Sequence, residues 1–382
     1  MDFSISKEDI VKALNFTLGV VEKRQTLPIL SNVLINVDES SLKLSATDLE
    51  SEILTTCVIS NFKSGGLTTA PARKLSDLCR LLPEASEIHF YLDGTDLKIE
   101  AGSGKYNLTT LPSEDFPTFE IEDSLSEINI SPSGIKSLIG NTSFAMGNDS
   151  WRDYLSGLNL IVDDKTITAV ATDGSRLAVA NALLNEAVPN NISGIVPKKS
   201  INEIGKLVSE ASENIIIKLG SSSISADVSG TKFVSKLIEG KFPDHEQVIP
   251  FGESSMMKID RKEFSDSLSR VSVLSGGDHK GVRFITEKNT INISANNPEK
   301  ERGEESLTCS YDGENIDIAF NVNYFQEILS SLNSQEVEIN FFGSERSCLI
   351  TEPNNQSLKY VVMPLLVQSA IIKNISKKFQ ML

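Results

Sequence analysis

Three stretches of this chain are versions of one another. "LKLSATDLE" (42–50), "ITAVATDGS" (167–175) and "INISANNPE" (291–299) each read as a short alternating strand, a small residue and a polar turn. Ala46, Ala171 and Ala295 stand 125 and 124 residues apart. Eleven residues before each lies an apolar strand position: Ile35, Leu160 or Phe284. Twenty-seven residues after each, a helix-like segment opens: "RKLSDLCRLL" at Arg73, "KKSINEIGKLV" at Lys198 and "VNYFQEILSSL" at Val322. "DFP" at 115–117 is matched by "KFP" at 241–243, with the phenylalanines 126 residues apart. So long a period marks domain duplication, because solenoid units repeat every ~20–50 residues. At 382 residues the chain is too long for one ordinary core. It divides into domains over 1–125, 126–250 and 251–367, with an extension over 368–382.

Each copy opens with a helix. "SKEDIVKALNFTLGVV" spaces Ser6 and Asp9 as a capping box, and "DRKEFSDSLSRVSVL" spaces Asp260 and Glu263 in the same way. "SPSGIKSLIGNTSFA" offers Ser131 as N-cap and Pro132 at the first helical position. Two helices and roughly eight short strands per copy, joined at hairpin spacing, predict an α+β fold: antiparallel sheet with both helices on one face.

The charge is −16. Taken as a sum it argues against a nucleic-acid partner, whose binders carry a basic footprint. Its distribution matters more. Basic residues gather on or beside the helices: Lys7, Lys12, Lys23, Arg24, Arg73, Lys74, Arg80, Lys136, Lys198, Lys199, Lys206, Arg261, Lys262 and Arg270. A surface lined by those helices attracts phosphate while the acidic remainder repels it; the same residues also suit plain solvated helix faces. The final helix, "VNYFQEILSSL", carries no basic residue.

Catalytic and metal signatures are missing. "AGSGKYNL" contains GSGK, but a phosphate loop needs Gly at Ile99 and Ser/Thr at Tyr106, so a hairpin turn is expected. His89, His245 and His279 share no ligand spacing, and the four cysteines form no CxxC. That usage suits a reducing cytoplasm. The N-terminus has no signal-peptide pattern, and no apolar run is long enough to span a membrane. "ATDGSRL" lacks the second glycine of a nucleophile elbow, and two of the three copies carry Glu50 and Glu299 where this one has Ser175. Two readings to weigh are a hydrolase built on Ser175 and Asp173, which would need a base the sequence does not offer, and a monomeric peptide-binding scaffold, which the acidic charge would favour. No cofactor or metal is expected.

"TLPILSN" (26–32), "TDLE" (47–50), "PARK" (71–74), "ATDGSRLAV" (171–179), "KFPD" (241–244), "GVR" (281–283), "ANNPE" (295–299), "FNVNY" (320–324) and "YVVMP" (360–364) occur in order. Together they resemble the bacterial DNA polymerase III beta subunit, the sliding clamp, from residue 1 to about 367. The resemblance implies a non-catalytic protein, cytoplasmic and nucleoid-associated. Two three-domain chains would pair head to tail in a six-domain ring, with helices lining the hole and sheets forming the wall. Duplex DNA would be encircled without regard to sequence, and the replicative polymerase tethered for processive synthesis. The implied partners are the polymerase III alpha subunit, the clamp loader, and other polymerases, ligase and mismatch-repair proteins that bring short peptides.

By the same resemblance, Arg24, Arg73, Arg80, Lys198 and Lys199 face DNA, with Tyr154 near the strand exit. The peptide pocket is lined by Leu155, Thr172, Gly174, Ser175, Arg176, Leu177, Pro243, Val248, Asn321, Tyr324, Val361, Val362, Met363, Pro364 and Leu365. Read without the resemblance, Val-Val-Met-Pro is a core edge strand. Ser175 stands where a histidine is frequent, Gln247 where a basic residue is common, and His279 near a usual aromatic; these departures bear on peptide preference. At the dimer seam, Tyr106 and Leu108 would meet Val273 and Leu274 of the neighbouring chain. Lys74 and Lys105 would there face Glu299, Glu301, Glu304 and Glu305. The extension "QSAIIKNISKKFQML" either plays no part in the pocket or docks beside it through Ile371, Ile372, Ile375 and Phe379, which recur at helical spacing.

Overall fold

The computed structural model describes residues 1–21, 27–117, 119, 126–148, 151–276 and 280–365. Arg24, His279 and the extension over 368–382 lie outside them. Six helices form among the described residues, two per repeat: α1 (Lys7–Thr17), α2 (Ala72–Leu81), α3 (Pro132–Thr142), α4 (Lys198–Ser209), α5 (Arg261–Ser272) and α6 (Val322–Ser331). The capping signals hold. Ser6 accepts from the Asp9 backbone N–H, Asp260 from that of Glu263, and Ser131 Oγ from that of Gly134. Pro71 and Pro197 occupy the N-cap positions of α2 and α4. Their fixed φ breaks the preceding strand and sets the chain turning into the helix.

The described chain resolves into two compact units. Residues 1–136, 160–167 and 183–239 form one; residues 137–159, 168–182 and the described residues from 240 on form the other. Three repeats were read from the sequence, and the middle one is divided between the units because its two edges are paired differently. In the first unit, Thr231–Lys236 pairs antiparallel with Ser51–Val58 of the first repeat. In the second, Arg176–Leu183 pairs with Asn355–Val362 of the third. Backbone ladders therefore run across the boundaries between repeats.

The first unit holds an eight-stranded antiparallel sheet, in the order Ser126–Ile130, Ile215–Leu219, Ser223–Val228, Thr231–Lys236, Ser51–Val58, Ser41–Thr47, Asn32–Val37 and Gly66–Pro71. It also holds a five-stranded sheet ending on Gly104–Thr109. The second unit continues from Arg176–Leu183 through Asn355–Val362, Cys348–Glu352 and Glu336–Phe341 to Ser255–Asp260. Its four-stranded sheet ends on Arg302–Thr308. Helices α1 and α2 pack on one another, as do α5 and α6. Ala46, Ala171 and Ala295 are all buried in their strands, where a larger side chain would separate helix from sheet.

The third repeat is anchored by four fully buried phenylalanines. Phe264 on α5 and Phe325 on α6 meet Phe284 and Phe320 from the sheet, with ring centroids 5.1–6.2 Å apart. Tilted and edge-on pairs of this kind add about 0.5–1.5 kcal/mol each to simple burial. They fix α6, and α6 carries part of the site described next.

Candidate partner pocket and nucleic-acid interface

The turn at 172–176 is built by its own side chains. The Thr172 hydroxyl donates to the Arg176 carbonyl (2.5 Å) and accepts from the Gly174 N–H (3.1 Å). Asp173 Oδ1 accepts from the N–H groups of Ser175 (2.9 Å) and Arg176 (3.1 Å). Gly174 sits at φ +90°, a conformation that favours glycine, and a Cβ there would stand 2.9 Å from Arg152 Nη1. The Asp173 carboxylate is spent on this turn and on Arg176, and Ser175 is an exposed tip with no base beside it in the turn's hydrogen bonds. Nothing here activates a nucleophile.

Arg176 is the centre of the site. Its side chain is only 8% exposed, yet every face of the guanidinium is used. Nε donates to Asp173 Oδ2 (3.0 Å), Nη2 to the Phe144 carbonyl (2.6 Å), and Nη1 to Glu327. The Tyr324 ring lies 4.5 Å from Cζ and the Phe144 ring 5.4 Å. A planar, weakly hydrated cation is the one charged group that can stack and bond forkwise at once. Phe144, Glu327 and Arg152 are participants that sequence reading missed. The available signal was an arginine entering an apolar strand, "SRLAVA", which must find partners once buried.

Around this centre the structure gathers most of the expected pocket residues. Arg176 and Leu177 pair in register with Val362 and Val361. The Met363 N–H donates to the Ser175 carbonyl (2.9 Å) and the Leu365 N–H to the Ala319 carbonyl (2.8 Å). Asn321 caps α6 by accepting from Asn323, which sets Tyr324 in the first turn. Leu155, Leu177, Val361 and Val362 are buried, whereas Met363 is 42% exposed and Pro364, Leu365 and Tyr324 are half-buried. The exposed methionine thus follows directly on a buried apolar strand end, and its pliable side chain is free to adapt to a neighbour. Pro243 is exposed and Val248 half-buried, flanking a short 3-10 turn, His245–Gln247, capped by Asp244.

The expected DNA-facing cations differ in how committed they are. Arg73 is exposed at the start of α2 and donates to the Val21 carbonyl (2.8 Å). Arg80, exposed at the end of α2, donates to Asn15 Oδ1 (3.2 Å). Lys198 and Lys199 open α4, and Lys199 Nζ bonds Asp48 (2.5 Å) and the Val20 carbonyl (3.2 Å). Lys199 is thus a structural fastener as well as a cation. Tyr154 is half-buried in the 3-10 turn Asp153–Leu155. The reading of all helix cations as one phosphate-attracting surface needs correction. Lys7 is buried on the Leu82 carbonyl and Glu84, Arg261 holds the carbonyls of Ser334 and Leu329, and Arg270 closes a two-pronged bridge with Glu305. Charge on a helix is often consumed by the fold itself.

Among the seam residues, Lys74 and Lys105 are exposed, Tyr106 is 39% and Val273 78% exposed, and Leu108 and Leu274 are half-buried. Lys105 bonds Glu100 (3.0 Å), Glu304 bonds Arg302 and Glu305 bonds Arg270. Glu299 and Glu301 are exposed. Among the described residues no helix is long and apolar enough to cross a membrane, and no acid, histidine or cysteine cluster suits a metal.

Comparison with known proteins agrees over 96% of the chain. Family models for the DNA polymerase III beta subunit match in order: the N-terminal domain over residues 1–120, the central domain over 129–244 and the C-terminal domain over 246–366. The beta sliding clamp of Pseudomonas aeruginosa is 39% identical over 367 residues, covering 96% of this chain and all of its own. That of Escherichia coli K12 is 35% identical over 365 residues with the same coverage. The crystal structure of the P. aeruginosa clamp bound to griselimycin superposes with a TM-score of 0.93 at 38% identity, over 96% of this chain and 100% of that one. The Caulobacter crescentus polymerase III beta structure gives 0.91 at 32% identity, again over 96% and 100%. Three clamp domains in order and relatives matched over their full length show the family: the chain is a member of the DNA polymerase III beta-subunit family, the beta sliding clamps, non-catalytic processivity factors that tether DNA polymerase to DNA.

Proposed function

We propose that two copies of this chain close head to tail into a ring around duplex DNA, and that the site centred on Arg176 receives the short peptides by which the polymerase III alpha subunit, the clamp loader and repair proteins attach. The domains run over 1–125, 126–250 and 251–367. Agreement with the clamp family over all three domains, residues 1–366, carries this reading. Supporting it, each unit offers a sheet that ends on a strand beside exposed apolar side chains: Gly104–Thr109 with Tyr106 in one, and Arg302–Thr308 near Val273 in the other. End strands of this kind pair readily with a second chain.

Arg24, Arg73, Arg80, Lys198, Lys199 and Tyr154 are the proposed DNA contacts. They need only be weak, because enclosure prevents sideways escape and phosphate contacts carry no sequence information. The test is topological. The protein is loaded by a clamp loader onto nicked circular DNA, which is then cut once. Co-migration with the circle and release after linearisation is the expected result. Retention on the cut DNA, or failure to load, would overturn the ring.

A further inference from the structure

Two consecutive carbonyls just past α1 are held from two different helices. Val20 and Val21 are buried after the last turn of α1, where a chain leaving its helix no longer pairs its carbonyls within it. The Val21 carbonyl accepts from Arg73 of α2 (2.8 Å) and the Val20 carbonyl from Lys199 of α4 (3.2 Å). One residue earlier the chain runs against α4 itself. A Cβ on Gly19 would stand 1.8 Å from Glu203 Oε2, and Glu203 is buried with Lys206 on its other oxygen (2.7 Å). Lys199 is committed further. Its Nζ also reaches Asp48 Oδ2 (2.5 Å), on a side chain only 7% exposed, while Asp48 Oδ1 holds the backbone of its own turn at Glu50 and Ser51. At least two of the ammonium's three N–H donors are therefore spent on the first repeat. Lys198 and Lys199 both open α4, at the end where the helix dipole disfavours cations, and Asp48 offsets that for Lys199. Drawing Lys199 away to a phosphate would leave a buried carboxylate without its counter-charge.

We propose that Lys199 serves DNA at one remove: with Asp48 it is a positioning pair that fastens the N-terminal end of α4 to the first repeat, so that the adjacent Lys198 meets phosphate from a fixed place. The inference rests on the ring reading above and refines the part that one of its cations plays. A cation fixed beforehand binds without first being ordered, and ordering one long side chain on binding weakens it roughly fivefold. Asp48 thereby becomes a residue on which DNA affinity depends, although its carboxylate repels phosphate.

The probe is a labelled linear duplex, titrated over a range of sodium chloride concentrations into the full-length parent and into variants that melting shows to be folded. Asp48→Asn keeps the oxygen that holds the turn and removes only the charge that Lys199 faces. Were Lys199 itself a phosphate contact, freeing it in this way would tighten binding. For a positioning pair, Asp48→Asn should weaken binding about fivefold and leave the slope of log K against log salt at the parent's value. Adding Lys199→Met to Asp48→Asn should change neither affinity nor slope further. Lys198→Met, by contrast, should lower the slope by about 0.9 for each copy that touches DNA. Unchanged or tighter binding by Asp48→Asn overturns the inference, since a purely structural pair would move the melt alone. A lower slope when Lys199→Met is added, or an unchanged slope for Lys198→Met, overturns it too. A parent that holds no duplex at any salt concentration overturns the ring reading, and the inference with it.

Discussion

Arg176 carries two duties with one side chain. It closes the Asp-Gly-Ser turn through Asp173, and it ties that turn to α6 through Glu327 and Tyr324. A lysine could keep the charge but neither the fork nor the stacking plane. Arg176→Lys should therefore cost about 2 kcal/mol, the scale of losing hydrogen bonds to charged groups in a buried setting. It should also weaken pocket peptides by more than the stability loss explains; a thermal melt and a peptide titration on one sample check both. Gly174→Ala tests the turn without touching charge. At φ +90° and with Arg152 close by, the added methyl group should cost about 1–2 kcal/mol. A neutral melt would show that the turn relaxes freely.

The same joint is built twice, and its two copies diverge in chemistry. Thr47 and Asp48 bond their turn as Thr172 and Asp173 do. The Lys236 N–H reaches the Glu50 carbonyl (2.9 Å) and the Ile238 N–H the Ile195 carbonyl (2.8 Å), repeating the bonds of Met363 and Leu365. Where the second joint presents Gly174 and Met363, the first has Leu49 at φ +75° and a lysine, with Asp48 locked onto Lys199. The scaffold was legible in the sequence, since repeated backbone bonds follow a repeated Thr-Asp turn and helix phase. What distinguishes the copies was not legible, because Arg176's partners come from 32 residues before it and 151 after it. The consumption of Lys7, Arg261 and Arg270 was hidden for the same reason: composition places a charge on a helix, and only tertiary packing says what it faces. Two expectations belong to α6. Phe325→Ala should cost about 3–5 kcal/mol through its cavity and take pocket binding with it, whereas Phe325→Leu should cost less. After α6, burial pushes the Glu352 carboxyl up, but Asn355 and the N–H groups of Ser334 and Asn333 outweigh it and hold the group below its ordinary 4.5. A lowered carboxyl stabilises fully above its unfolded pKa and loses that contribution as pH falls through the folded value. Glu352→Gln should thus be less stable than the parent at pH 7, with the gap closing below about pH 4.5 in urea melts; a gap independent of pH would assign the effect to shape.

At the scale of the whole molecule, closure sets the requirement. A ring that must open for loading needs a modest seam, apolar at its centre and charged at its rim. Tyr106 and Val273 supply exposed apolar surface on the two units, next to end strands Gly104–Thr109 and Arg302–Thr308. The acids differ in availability: Glu305 is clamped by Arg270 and Glu304 by Arg302, while Glu301 is exposed and bonds Asn297, a neutral neighbour. Reversing Glu301 and Glu304 together should weaken dimerisation by a few-fold at low salt and less at 0.5 M, where the Debye length falls to about 4 Å. The centre should matter more. Val273→Lys adds a cation at the C-terminal end of α5, a place where the helix dipole tolerates it, so the fold should survive. Burying that ammonium in the seam is unfavourable by several kcal/mol, enough to raise the dimer dissociation constant at least a hundredfold. Sedimentation equilibrium should then report a folded monomer with unchanged circular dichroism, unable to stay on nicked circles. A dimer as tight as the parent's would place the seam elsewhere on the chain.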